Sequence, residues 1–158
     1  MFQFPIYQLI RETVLEITTT IGRNFRGLVG LKPGYNSGDI AYSPLDLEQA
    51  WDDWVDLRHS KGLPFLGACF GPIETLRYAF ETESILMKYS EPVIPIQGEI
   101  PSYQEAFSDE VIIETLTSLF TALGNATKQT TVRFTYFGTD TFRCSYRIKF
   151  PNMSHPLD

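Results

Sequence analysis

Residues 130–150 constrain the fold more tightly than any other stretch of the chain. Val132, Phe134 and Tyr136 alternate with Arg133 and Thr135; after a turn, Phe142, Cys144, Tyr146, Ile148 and Phe150 alternate with Arg143, Ser145, Arg147 and Lys149. A period of two sends successive side chains to opposite faces, so each run has one apolar and one polar side. Gly138-Thr139-Asp140 supplies the turn between them. The pattern predicts an antiparallel β-hairpin packed by one face, with Phe137 joining the polar side.

Helical spacing appears in four other places. Over residues 5–21, Ile6, Leu9, Ile10, Val14, Ile17 and Ile21 share one stripe, and Pro5 suits a first turn. Over 44–60, Ser43 stands at the cap, Pro44 follows, and Leu47, Ala50, Trp51, Trp54 and Val55 form the inner stripe. A third helix is expected from Pro72, with Ile73, Leu76 and Phe80 on one face, ending near Glu83 or running on to Tyr89. The fourth spans 109–123, capped by Ser108 and stopped by Gly124, with Ile112, Ile113, Leu116, Leu119, Phe120 and Leu123 facing inward.

Between these elements, Leu63–Gly71 is almost wholly apolar and is expected to cross the interior. Pro92, Pro95, Gly98 and Pro101 argue against a central strand over 91–106, which reads as an extended surface connector. Pro33-Gly34 and Asn36-Ser37-Gly38 mark a turn within 26–43. The fold class expected is α+β: three to four amphipathic helices packed on a small antiparallel sheet that includes the C-terminal hairpin. A chain of 158 residues suits one domain over 1–150, with 151–158 as a loose tail.

Charge is segregated along the chain. Residues 1–127 hold 17 Asp/Glu against 8 Lys/Arg, whereas Lys128, Arg133, Arg143, Arg147 and Lys149 face only two acids in the remainder. The net charge of −6 argues against a general nucleic-acid binder. No apolar run approaches the ~20 residues of a membrane span, and the first residues lack the basic start and apolar core of a secretion signal. A cytoplasmic protein without a membrane partner is expected, its two cysteines, Cys69 and Cys144, reduced and buried.

Two constellations could carry function. Asp46, Glu48, Asp52, Asp53 and Asp56 occupy the helical arc away from the tryptophans, while Arg58 shares the tryptophan stripe. This acidic helix suits docking of a basic protein; Asp52, Asp56 and His59 could instead hold a metal for hydrolysis. Arg133, Arg143, Arg147 and Lys149 project from one side of the hairpin and could grip phosphates or nucleic acid, with Phe137 stacking on a base. The acidic helix and the basic hairpin could also satisfy each other, within one chain or in a homodimer.

Other chemistry lacks its residues. Gly62, Gly67 and Gly71 do not have phosphate-loop spacing. Two histidines and two cysteines cannot build a Cys/His zinc site. No nucleophile motif accompanies His59. Neither a cofactor nor a catalytic set is indicated. The sequence therefore predicts a non-enzymatic binding module, of inhibitor, immunity or chaperone type, that docks a basic partner through Asp46, Glu48, Asp52, Asp53, Asp56 and Arg58.

Overall fold

The computed structural model describes residues 22–33, 42–138 and 143–150. In chain order these form β1 (Asn24–Gly30), α1 (Pro44–Ser60), β2 (Cys69–Phe70), β3 (Glu74–Thr82), β4 (Ile85–Glu99), α2 (Asp109–Ala126), β5 (Thr131–Phe137) and β6 (Arg143–Lys149), with one short 3-10 turn at Ser102–Gln104. The expected helix over 5–21, the turn at 34–41 and the tail after 150 lie outside the described residues.

The six strands make one antiparallel sheet in the order β2-β4-β1-β5-β6, and β3 also pairs with β4. The expectation of three to four helices on a small sheet is therefore corrected: the described residues hold two α-helices on a dominant sheet. The third helix expected from Pro72 is strand β3. Leu76 and Phe80 suit a helical stripe, but with Tyr78 they also fit period two, and Thr75, Tyr78, Phe80 and Thr82 favour strand. Leu63–Gly71 does not cross the interior; Leu66 is its buried plug, while Leu63 is exposed.

The proline-bearing connector is likewise corrected. Residues 91–99 belong to β4, a central strand flanked by β1 on one edge and by β2 and β3 on the other. Proline is tolerated here because its missing N–H falls where each ladder stops. The Pro92 carbonyl accepts from Leu31 N–H just past the end of β1, and the Pro95 carbonyl accepts from Gly71 N–H just past β2. β2 and β3 are two parts of one edge strand. Phe70 faces Ile96 and Glu74 faces Val93, so three residues oppose two and the edge bulges at Gly71–Ile73.

The other local expectations hold, except that Gly124 does not stop the helix begun at Asp109, which runs on to Ala126 with Gly124 buried inside it. α1 runs over 44–60, where the Ser43 N–H donates to Asp46 Oδ2 at 2.8 Å. α2 begins after Ser108, whose hydroxyl accepts from Val111 N–H at 3.3 Å. β5 and β6 pair from Thr131↔Lys149 to Phe137↔Arg143.

Both helices lie on one side of the sheet. Phe25, Val29, Ile94, Ile96, Val132, Phe134 and Tyr136 meet Ile112, Leu116, Leu119, Phe120 and Leu123 there in a single core. Phe120 sits at its centre, edge-on to Phe25 and stacked on Phe134 at 5.0 Å between centroids. Gly27 makes room for it: a Cβ at that position would lie 2.6 Å from the Phe120 ring and 2.9 Å from the Arg133 carbonyl. Gly27→Ala is expected to lower unfolding stability by about 1–3 kcal/mol through overpacking, read from denaturant midpoints at constant slope.

Candidate functional site on the sheet face opposite the helices

Side chains that alternate with the core positions point away from the helices. Across the sheet these are Tyr89, Glu91, Val93, Pro95 and Gln97 on β4, Arg26 and Leu28 on β1, Arg133, Thr135 and Phe137 on β5, and Arg143, Ser145, Arg147 and Lys149 on β6. None of the described helices covers this face. It divides into an aromatic, carboxylate-bearing half and a basic half.

The first half is the β3–β4 hairpin and its root. Thr82 pairs with Ile85 across a two-residue turn, Glu83-Ser84, both at positive φ (50° and 67°). That geometry matches the right-handed twist of a hairpin. Tyr78 lies opposite Tyr89 with ring centroids 5.5 Å apart, and Phe80 stacks on Tyr89 at 5.4 Å. Cross-strand and diagonal neighbours on one face produce this ladder. Arg77, Ala79, Lys88 and Ser90 alternate with these rings and project from the other face of the ribbon, where with Tyr78 and Tyr89 they line an open depression of about 390 Å³.

Glu91 stands two residues further along the same face, opposite Leu76. Burial holds its carboxyl above the usual carboxylate range, and the nearby Lys32 ammonium only partly offsets this. A desolvated carboxylate on a face that offers aromatic rings marks a site candidate. Sequence reasoning missed it because 91–106 read as a connector; the one available signal was the alternation of Tyr89, Glu91 and Val93.

The second half gathers the arginines. Arg26 and Arg143 both lie over Phe137, each guanidinium carbon 5.2 Å from the ring centroid. Arg133 and Arg147 are direct cross-strand neighbours. Thr135 and Ser145 hydroxyls share a 3.0 Å hydrogen bond between them. The ion pairs among the described residues are Arg23–Asp109 and Arg58–Glu114, neither of which involves these four arginines. Arg133, Arg143, Arg147 and Lys149 are thus brought together on one face as the pattern implied, and Arg26 joins them from β1.

The acidic helix belongs to the other side of the molecule. Asp46, Glu48, Asp52, Asp53 and Asp56 are all exposed on α1. Because α1 packs on the helix side of the sheet, its acidic arc cannot pair with the arginines of the same chain. Arg58 is not on that arc. It is 5% exposed, lies 5.8 Å over the Trp54 ring, donates to the Pro64 carbonyl at 2.7 Å, and forks onto Glu114 at 3.1 and 2.9 Å. The Arg58 hydrogen bond holds the Glu114 carboxyl below its usual range. Trp54 donates to Ser118 and Trp51 to the Leu66 carbonyl, so both indoles serve the fold. Cys69 is exposed rather than buried; neither cysteine is bonded.

A second polar knot ties the sheet to the start of α2. Tyr136 donates to Asp109 at 2.6 Å, while Arg23 donates to the carbonyls of Gln104, Glu105 and Phe107. Burial, then the Asp109 contact, raises the Tyr136 hydroxyl far above its ordinary value. This group positions residues 102–109 and faces the core.

No group of three or more metal-ligating side chains occurs among the described residues, Asp52, Asp56 and His59 included. No helix among them is long and apolar enough to cross a membrane.

Neither a protein-family model nor a curated protein sequence matches the chain. Solved structures do. A phage SAM lyase in its apo state aligns with a TM-score of 0.53 and 22% identity, covering 82% of this chain and 90% of that one. A phage SAM lyase in complex with S-methyl-5'-thioadenosine aligns with a TM-score of 0.54 and 21% identity over the same shares. At this identity the likeness establishes a shared fold. It runs against the expectation of a non-enzymatic module docking a basic partner, because both of these solved structures are of a lyase. The alternatives of nucleic-acid binding and metal-dependent hydrolysis gain nothing from it.

Two expectations follow from the placement of these groups. Folding binds a proton more tightly at Glu91 than the unfolded chain does, so ionisation of this carboxyl as pH rises costs stability. Glu91→Gln should raise the melting temperature at pH 7, with the gain vanishing below about pH 4, where the carboxyl is protonated in both states. Asp52→Lys with Asp56→Lys, on the solvated arc, should change stability by no more than about 0.5 kcal/mol per site, measured by denaturant unfolding.

Proposed function

We propose that the chain is a lyase that cleaves S-adenosylmethionine and releases S-methyl-5'-thioadenosine. The observation that carries this reading is the shared fold over 82% of the chain with a SAM lyase holding that thioether. The sheet face opposite the helices offers what such a substrate requires. The Tyr78–Tyr89–Phe80 ladder presents aromatic surface on which an adenine can stack. Glu91 offers a desolvated carboxylate to a sulfonium cation, and the attraction is strongest where water is scarce.

The chemistry places modest demands on the protein. When a carbon–sulfur bond of a sulfonium breaks, the bonding pair goes to sulfur and a neutral thioether leaves, so the leaving group needs no acid. A lyase adds no water, so the carbon released from sulfur draws its new electron pair from within its own fragment. The protein's task is then to orient the substrate and stabilise its charge. A cytoplasmic location fits this reading, since Cys69 and Cys144 stay unpaired.

The test is to incubate the purified protein with S-adenosylmethionine and separate the products by liquid chromatography. One S-methyl-5'-thioadenosine should form for each substrate consumed. Tyr89→Ala should lower kcat/KM roughly 10- to 100-fold, the loss expected for one stacked base at about 1–3 kcal/mol. Glu91→Gln should lower it at least as far, with the melting temperature unchanged or raised. Wild-type protein that leaves the substrate intact over hours at micromolar concentration would overturn the reading.

A further inference from the structure

We infer that Gln129 is a positioning residue: by gripping the backbone of Lys32 it fixes the Lys32 ammonium beside the Glu91 carboxyl, and so sets the pH range over which that carboxylate can act on a sulfonium. The last clause rests on the lyase reading; the arrangement itself does not.

Strand register brings the two charges together. β1 and β4 pair antiparallel as far as Gly30↔Val93. Carried two residues further, the same register sets Leu31 opposite Pro92 and Lys32 opposite Glu91. The Leu31 N–H donates to the Pro92 carbonyl at 3.0 Å, so the two segments still run side by side there. Residues directly opposite on one face have Cβ atoms about 4.5–5.5 Å apart, within reach of an ammonium and a carboxyl. Leu76 on β3 flanks Glu91 on its other side. β1 has ended before Lys32, so the sheet's ladder no longer holds this residue.

Gln129 holds it instead. It lies in the turn between α2 and β5 and is 7% exposed. Its amide nitrogen donates to the Lys32 carbonyl at 2.7 Å and to the Thr127 carbonyl at 3.1 Å. Its amide oxygen fills the space over Gly30, where a Cβ would collide with it. Gly30 shares its face with Arg26 and Leu28, so Gln129 reaches the side of the sheet that carries Glu91.

The charge balance at Glu91 makes this clamp matter. Burial pushes the carboxyl up, and the Lys32 ammonium pulls it back. Among the described residues, the other charged groups near it are Glu74, diagonal on β3 and exposed, and Lys128, exposed on the turn. Arg77 and Lys88 project from the other face of the ribbon. Only the ionised carboxylate attracts a sulfonium, so kcat/KM should rise with pH as Glu91 of the free enzyme loses its proton. Releasing Lys32 leaves burial less opposed and moves that rise to higher pH.

The experiment pairs the pH profile of kcat/KM with a carbon-13 carboxyl NMR titration of Glu91 without substrate, the resonance being assigned by its loss in Glu91→Gln. Gln129→Leu should move both midpoints up by about one pH unit, the low end for an opposite charge taken from within ~4–6 Å, and leave the high-pH plateau of kcat/KM in place. Lys32→Met should move the Glu91 midpoint in the same direction, and Lys32→Arg should keep it where wild type has it. Adding Gln129→Leu to Lys32→Met should move it no further, because the amide acts through the lysine. A Gln129→Leu protein with wild-type circular dichroism and an unmoved Glu91 midpoint overturns the inference, as does a second full shift in the double variant. Should Gln129→Leu fold poorly, Lys32→Met decides, and an unmoved midpoint there overturns it. NMR shifts as expected in a protein that leaves S-adenosylmethionine intact would sink the lyase reading and leave the positioning role standing.

Discussion

Phe120 pressing into the space above Gly27 decides which side of the sheet becomes interior. The ring can approach β1 only because no Cβ stands there, and it is held between Phe25 and Phe134. Once α2 is seated, every inward position on β1, β4 and β5 is committed, because strand alternation allows no half-measures. α1 then packs on the same side, fixed to α2 by the Arg58–Glu114 fork and the Trp54–Ser118 hydrogen bond. Neither described helix lies on the opposite face of the sheet.

That face concentrates residues that packing against the two helices did not use. Its aromatic ladder and Glu91 lie at one end, and four arginines lie at the other. The two polar knots on the helix side, Arg23–Asp109–Tyr136 and Arg58–Glu114, differ in kind. Their donors are spent on backbone carbonyls and carboxylates within the fold, so they hold elements in register. The arginines of the sheet face opposite the helices form no ion pair among the described residues, and Arg26 and Arg143 lie over Phe137.

Length and local pattern were enough for α1, α2, β5 and β6. Each announces itself within its own residues, through Ser43 or Ser108 at a cap, or through apolar positions at a single period. They were not enough for β3 and β4. Leu76 and Phe80 stand four apart, which suits a helix, yet Tyr78 between them belongs to the strand pattern. Pro92 and Pro95 argued against a central strand because proline cannot donate to a ladder. The objection fails only because β1 and β2 stop beside them, a fact about neighbours rather than about prolines. The candidate site followed the same division. Arg133, Arg143 and Arg147 were legible as one face of a hairpin. Glu91 and the Tyr78–Tyr89 stack were not, since their strand had not been recognised. Arg58 looked available on a helical wheel and proved to be the buried link between two helices.

The sequence by itself determined the local elements with one dominant period, the faces they present, and the separation of acidic from basic segments. Tertiary structure alone decided that the acidic helix and the basic strands lie on opposite sides of the sheet. It also decided that a proline-bearing segment runs through the sheet's centre, and that a carboxylate on it is desolvated beside aromatic rings. The reason is physical. Helical stripes and strand alternation arise from backbone geometry within a few residues. Edge neighbours, sheet order and burial arise from contacts between segments far apart in the chain, which no local period records.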